Sequence, residues 1–134
     1  MYSLKRENQM SKLGQMTCEC DTDVACCVAL GAEPIDTVRA EDLAEAFGAI
    51  GDPYRMAIVH LIATTGQAVC VVDVERHLPL AQSTVSYHLK VLLEAGVIDR
   101  EKRGRWSYYS LNPNRLTHMI DAISAYRDRV TVAA

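Results

Sequence analysis

What most constrains this 134-residue chain is the punctuation between Pro79 and Leu111. Pro79 closes whatever helix precedes it, because proline lacks a backbone donor and clashes with the preceding turn. From Gln82 to Ala95, Val85, Leu89, Leu92 and Leu93 recur at helical spacing, and Gly96 offers the left-handed stop that helix ends favour. Val97-Ile98 and Trp106–Leu111 then read as two strands. Their connector, Arg100–Arg105, places Gly104 where a turn wants it. A helix followed at once by a hairpin cannot bury its stripe alone, so other helices must cover it.

Those helices are legible upstream and downstream. From Val38 the pattern turns helical, with Leu43, Phe47 and Ile50 as its apolar positions. Gly51-Asp52-Pro53 ends that helix and starts a second, Asp52 as cap and Pro53 in the first turn. The second carries Met56, Val59, Leu61 and Ile62 and stops near Gly66. A short helix spans about Val71 to Leu78, and a last one follows Asn112-Pro113 with Leu116, Met119, Ile120, Ile123, Tyr126 and Val130. Residues 1–37 show no period and are expected to form a flexible, cysteine-rich tail, with 38–130 as one domain and 131–134 as a second tail. The fold class is mainly α with a small β-hairpin. The uncharged stretch Leu61–Val72 is too short to span a bilayer, and the N-terminus lacks the apolar core of an export signal, so a cytoplasmic protein with no membrane partner is expected.

Charge is unevenly spread. The net charge of −3 argues against a nucleic-acid partner, but Thr17–Pro53 holds nine acids against one base, and Arg76–Arg115 seven bases against three acids. The back half is therefore expected to meet an anion. Two helices with a tight break, then a hairpin with a basic tip, is the order of a winged helix-turn-helix. Gln82, Ser83, Thr84, Ser86, Tyr87 and His88 open the second helix as exposed hydrogen-bonding groups suited to base edges and phosphates. Lys90 and the hairpin's Lys102, Arg103 and Arg105 add cations for phosphate or the minor groove. Taken alone, the Ser/Thr/Gln run is ordinary helix capping and the hairpin cations are merely solvated; their order and the charge asymmetry favour DNA.

The stretch Ala81-Gln-Ser-Thr-Val-Ser-Tyr-His-Leu-Lys-Val-Leu-Leu-Glu-Ala-Gly-Val-Ile98 closely resembles the recognition helix of the ArsR/SmtB family of metal-sensing repressors. Phe47-Gly-Ala-Ile-Gly-Asp-Pro-Tyr-Arg55 resembles that family's helix junction, and Arg103-Gly-Arg-Trp-Ser-Tyr-Tyr-Ser-Leu111 its wing. The resemblance covers about Val38 to Arg129. It implies a homodimer packed through its first and last helices, an inverted-repeat operator in double-stranded DNA, and repression relieved by a metal or metalloid.

Five cysteines without an export signal point to metal or redox chemistry rather than a disulfide framework. Cys18, Cys20, Cys26 and Cys27 lie in the tail, and Cys70 stands before the short helix. Thiolates select soft ions. Family members that sense arsenite or cadmium often carry Cys-Val-Cys-Asp on the helix before the recognition helix; this chain reads Cys70-Val71-Val72-Asp73 and has lost the second thiol. Some relatives use a vicinal cysteine pair in the tail. The resemblance thus implies a hybrid site of Cys26, Cys27 and Cys70 for As(III) or Sb(III); Cys18 and Cys20 read as a spare soft-metal pair, as an auxiliary site with Cys26 and Cys27, or as having no role. Cd(II) or Pb(II), and thiol oxidation, remain open as alternative triggers. The family's other site, on the last helix, needs an aspartate and spaced histidines; Asp121 and His118 are present but no downstream histidine follows. His60 and His77 read as surface or core residues.

Catalysis is not expected. Cys70-Val-Val-Asp-Val-Glu-Arg76 has a phosphatase-like Cys-x5-Arg spacing, but its valines disfavour a phosphate loop, and Asp73 and Glu75 would repel the substrate. Cys26-Cys27 lacks the Cys-x-x-Cys spacing of thiol oxidoreductases.

Overall fold

A computed structural model describes residue 34 and residues 36–132. The chain divides into two units, Met1–Ala40 and Glu41–Ala134. In the first, the described residues include the opening turn of helix α1 (Thr37–Ile50), where Asp36 Oδ1 accepts the Arg39 N–H at 3.0 Å. The second holds the rest of α1 and then α2 (Pro53–Thr65), α3 (Val71–His77), α4 (Gln82–Glu94), β1 (Ile98–Arg103), β2 (Trp106–Leu111) and α5 (Pro113–Val132). None of these helices is long and apolar enough to cross a membrane.

Local chemistry sets the boundaries. Asp52 Oδ1 accepts from Tyr54 N at 2.9 Å and Arg55 N at 3.1 Å, capping α2, and Pro53 sits in its first turn. Gly66 ends α2 at φ 67°, a conformation a β-carbon would penalise. At the end of α4, Val97 N–H donates to Leu92 O and Gly96 N–H to Leu93 O, with Gly96 at φ 76°. That pairing closes a Schellman motif and turns the chain toward the hairpin. Asn112 Oδ1 accepts the Arg115 N–H and starts α5.

The core forms where the helices meet the hairpin base. Ile58, Val74, Val85, Leu89, Leu92 and Val97 are fully buried, with Ile62, Val69, Ile98 and Met119 around them. The hairpin is antiparallel, Ile98 opposite Leu111 and Arg103 opposite Trp106. Val69 forms a bridge to Tyr109: its N–H donates to Tyr109 O at 2.9 Å, and its carbonyl accepts the Tyr109 N–H at 2.7 Å.

Several expectations shift by an element face or a boundary. In α2, Ile58 and Ile62 are buried and Met56 is exposed, because Met56 lies on the opposite side of the helix. In α4, Leu93 is only half-buried and His88 takes a place inside. The first strand runs to Arg103, so most of the expected connector is strand and the turn shrinks to Gly104-Arg105. In α5, Met119 and Ala122 are buried, while Ile120, Ile123, Tyr126 and Val130 remain exposed along one side. This helix also runs to Val132, past the expected end of the domain.

Candidate nucleic-acid interface and thiol position

Reading outward from the core, α4 presents its polar face at its N-terminal half. Gln82, Ser83, Ser86 and Tyr87 are exposed, Thr84 is half-buried, and Lys90 is exposed beside Glu94 at 3.8 Å. The N-cap is Ala81, and among the described residues no side chain accepts from the first turn of α4. The opening N–H groups, which carry the positive end of the helix dipole, are thus uncapped by these side chains. Ordinary capping does not account for the Ser/Thr/Gln run here.

His88 does not belong with the exposed readers. It is 8% exposed, and its Nδ1 lies 3.3 Å from Arg55 Nη1. Its ring sits between Tyr54 and Tyr87, centroids 6.0 and 5.6 Å away. Arg55 also donates through Nε to Ala49 O, so the pair seats α4 on the junction between α1 and α2. The expectation that His88 faces solvent is corrected: at the eighty-eighth position the helix has rotated toward α2.

The hairpin cations differ among themselves. Arg103 donates to Glu101 at 3.0 Å and lies 4.8 Å from the Tyr108 ring centre; the Glu101 carboxylate raises its pKa further above the usual arginine value. Lys102 and Arg105 are exposed and have no ion pair among the described residues.

At the far end of α4, Arg115 ties three elements together. Its Nη1 and Nη2 hold the Asp42 carboxylate at 2.7 and 2.8 Å, Nη2 also reaches Asp42 O, and Nε donates to Ala95 O at 3.1 Å. Arg115 thereby links α1, α5 and the residue that ends α4. Its guanidinium holds the Asp42 carboxyl below the ordinary carboxylate range, and the carboxylate raises Arg115 in turn. His118 Nε2 lies 3.8 Å from Asp42 Oδ2, so this histidine borders the clamp.

Cys70 is half-buried at the N-cap of α3. Asp73 Oδ2 accepts its N–H at 2.9 Å, and hydrogen bonds from the Cys70 backbone and thiol lower the Asp73 pKa. Residues 71–77 are helical, and Asp73 N–H and Val74 N–H turn back to Cys70 O, so the Cys-x5-Arg segment does not curl into a phosphate loop. The tail cysteines Cys18, Cys20, Cys26 and Cys27 lie outside the described residues. Among the described residues no group of three or more His, Cys, Asp or Glu side chains is placed to hold a metal.

Comparison with known proteins adds to this geometry. Residues 50–101 match a family model described as a helix-turn-helix domain. An arsenical resistance operon repressor of Bacillus subtilis is 38% identical over 74 residues, covering 55% of this chain and 70% of the relative. The chain belongs to the ArsR/SmtB family. A solved structure of a "possible transcriptional regulator for arsenical resistance" shares 30% identity at TM-score 0.56, over 67% of this chain and 96% of that one. A homodimeric winged helix-turn-helix DNA-binding domain from Mycobacterium bovis, 18% identical, has the same fold at TM-score 0.57 over 72% of this chain and 90% of its own. This ArsR/SmtB chain is thus a winged helix-turn-helix: α3 and α4 form the motif, and β1 and β2 the wing.

Two features of this family member escape a reading of its sequence. The Arg115–Asp42 clamp joins residues far apart in the chain, and no local pattern marks either partner. The Arg55–His88 seat has a partial signal, since Arg55 follows the capping Asp52 at the third position, where it is turned inward.

Proposed function

We propose that this chain is a homodimeric repressor that binds an inverted-repeat operator in double-stranded DNA and releases it when As(III) or Sb(III) binds Cys26, Cys27 and Cys70. The DNA half of this reading rests on one observation above all. The N-terminus of α4 has no side-chain cap and is surrounded by exposed Gln82, Ser83, Ser86 and Tyr87. An uncapped helix end with short polar groups is suited to a phosphate and the adjoining base edges. Thr84 and Lys90 lie along the same helix, and Lys102, Arg103 and Arg105 line the wing; of the three, Lys102 and Arg105 are the uncompensated charges. Dimerisation through the first and last helices is supported by the exposed apolar side of α5, Ile120, Ile123, Tyr126 and Val130. A cytoplasmic location follows from a role on DNA.

The sensing half is supported by where Cys70 stands. It directly follows Val69, which is bridged to the wing strand at Tyr109, and it begins the short helix that leads into α4. A bond formed at Cys70 therefore acts on wing and reading helix together. Three thiolates suit a pyramidal, thiophilic ion. Binding that favours one dimer geometry by about 1–3 kcal/mol weakens operator affinity about 5–150-fold. The test is Cys70→Ser followed by fluorescence anisotropy on operator DNA. The variant is expected to bind as the parent does but to stay bound when arsenite is added. Normal release would remove Cys70 from the site. Thiolate absorption on titration with arsenite, antimonite, cadmium and lead ranks the ions, and mass spectrometry of the released protein separates a bound ion from an oxidised thiol.

A further inference from the structure

The wing tip carries one large side chain that the DNA reading above leaves without a task. Trp106 is the chain's single tryptophan; it opens β2, pairs with Arg103 on the last rung before the turn, and is 55% exposed. An indole is among the largest apolar groups a small domain can bury, yet the core does not take this one. A lone exposed apolar residue needs no explanation. This one has charged neighbours that differ in a telling way. Arg103 is neutralised by Glu101 and rests over Tyr108, so that strip of the wing is electrically balanced. Lys102 and Arg105 are uncompensated among the described residues. Trp106, opposite Arg103, shares the hairpin face of that balanced strip and follows Arg105 at the turn, while Lys102 pairs with Ser107 on the other face; the indole is thus flanked by available cations at the turn and across the ribbon. Phosphates answer the cations, and sugar and base faces answer the ring, so the complementary surface is a nucleic acid.

We propose that Trp106 is itself a DNA contact, its indole packing against deoxyribose and base edges in the minor groove beside each half-site while Lys102 and Arg105 take the adjoining phosphates. The proposal rests on the DNA-binding reading, and adds to it a contact that is apolar and independent of charge.

Because no other tryptophan is present, its emission reports this position alone. The full chain is titrated with a duplex from the DNA upstream of its own coding sequence, while binding is followed separately by anisotropy of a labelled copy. Acrylamide quenching of the tryptophan is expected to fall sharply once the duplex is bound. Trp106→Ala is expected to lose about 5- to 100-fold in affinity with an unchanged salt slope, and Trp106→Phe to recover most of it. Since the side chain lies outside the core, thermal unfolding of both variants should match the parent. Binding that leaves Trp106 fully quenchable, or a Trp106→Ala variant that binds as tightly as the parent, overturns this proposal and leaves the DNA reading standing. No binding of any duplex by anisotropy overturns both.

Discussion

At its C-terminal end, α4 is held by a Schellman motif, by Arg115 donating to Ala95 O, and through Arg115 by the Asp42 carboxylate. At its N-terminal end it starts on Ala81 with no side-chain cap, and its next residues point polar groups outward. Elsewhere in the fold, α1, α2 and α5 open on Asp36, Asp52 and Asn112, each accepting a backbone N–H. The bare start of α4 is therefore not how this sequence ordinarily begins a helix. One end is fixed by the protein and the other is bare, as the proposed contact with DNA requires. A helix that must approach a ligand keeps its donors free, and the cost in local stability is offset by anchoring elsewhere.

The sharpest way to break this contrast is to cut the anchored end. Arg115→Ala removes a bidentate pair and leaves the Asp42 carboxylate and Ala95 O without their donor. A loss of about 2 kcal/mol is expected by urea unfolding, the upper range being discounted because Asp42 is partly exposed. Arg115→Lys should rescue little, since one ammonium cannot serve both acceptors in fork geometry. Stability equal to the parent would mean that α4 is anchored by its apolar stripe alone.

A smaller and opposite effect is expected at the open end. Ala81 already has extended backbone geometry, φ −69° and ψ 153°, which suits a capping residue. Ala81→Asp should stabilise the fold by about 1 kcal/mol, read as a higher melting temperature. The same change should weaken operator binding, because the new carboxylate occupies the N–H groups and repels phosphate. A variant that gains stability without losing DNA affinity would show that this helix end does not face the backbone of the duplex.

The smallest effect is a pH dependence that sharpens the same comparison. Arg115 holds Asp42 below the usual value near 3.8, so the pair favours the folded state fully above that pH. The contribution is lost as pH falls below 3.8 and through the lowered folded value. Between the parent and Asp42→Asn, the difference in unfolding free energy should therefore be constant near neutrality and shrink in acid. A difference that stayed constant into strong acid would place the coupling elsewhere.

Local signals in the sequence located the elements because each acts over one helical turn. Asp52-Pro53, Gly66, Gly96, Asn112-Pro113 and Gly104 all mark boundaries that the structure keeps. Periodicity was less informative about which face is inside. It did not separate exposed Met56 from buried Ile58 on the opposite side of α2, and residue type alone did not show that polar His88 turns inward to Arg55. Of the proposed thiol ligands Cys26, Cys27 and Cys70, only Cys70 is among the described residues.

By itself the chain's order of residues determined the helix and hairpin succession, the charged back half and the supply of soft ligands, since capping, turn chemistry and composition are local properties. The tertiary structure alone decided that Arg115 reaches Asp42, that His88 turns in toward Arg55, and that Glu101 withdraws Arg103 while Lys102, Arg105 and Trp106 stay available. Those outcomes depend on which side chains from distant segments compete for the same partner, and that competition is settled only when the helices pack.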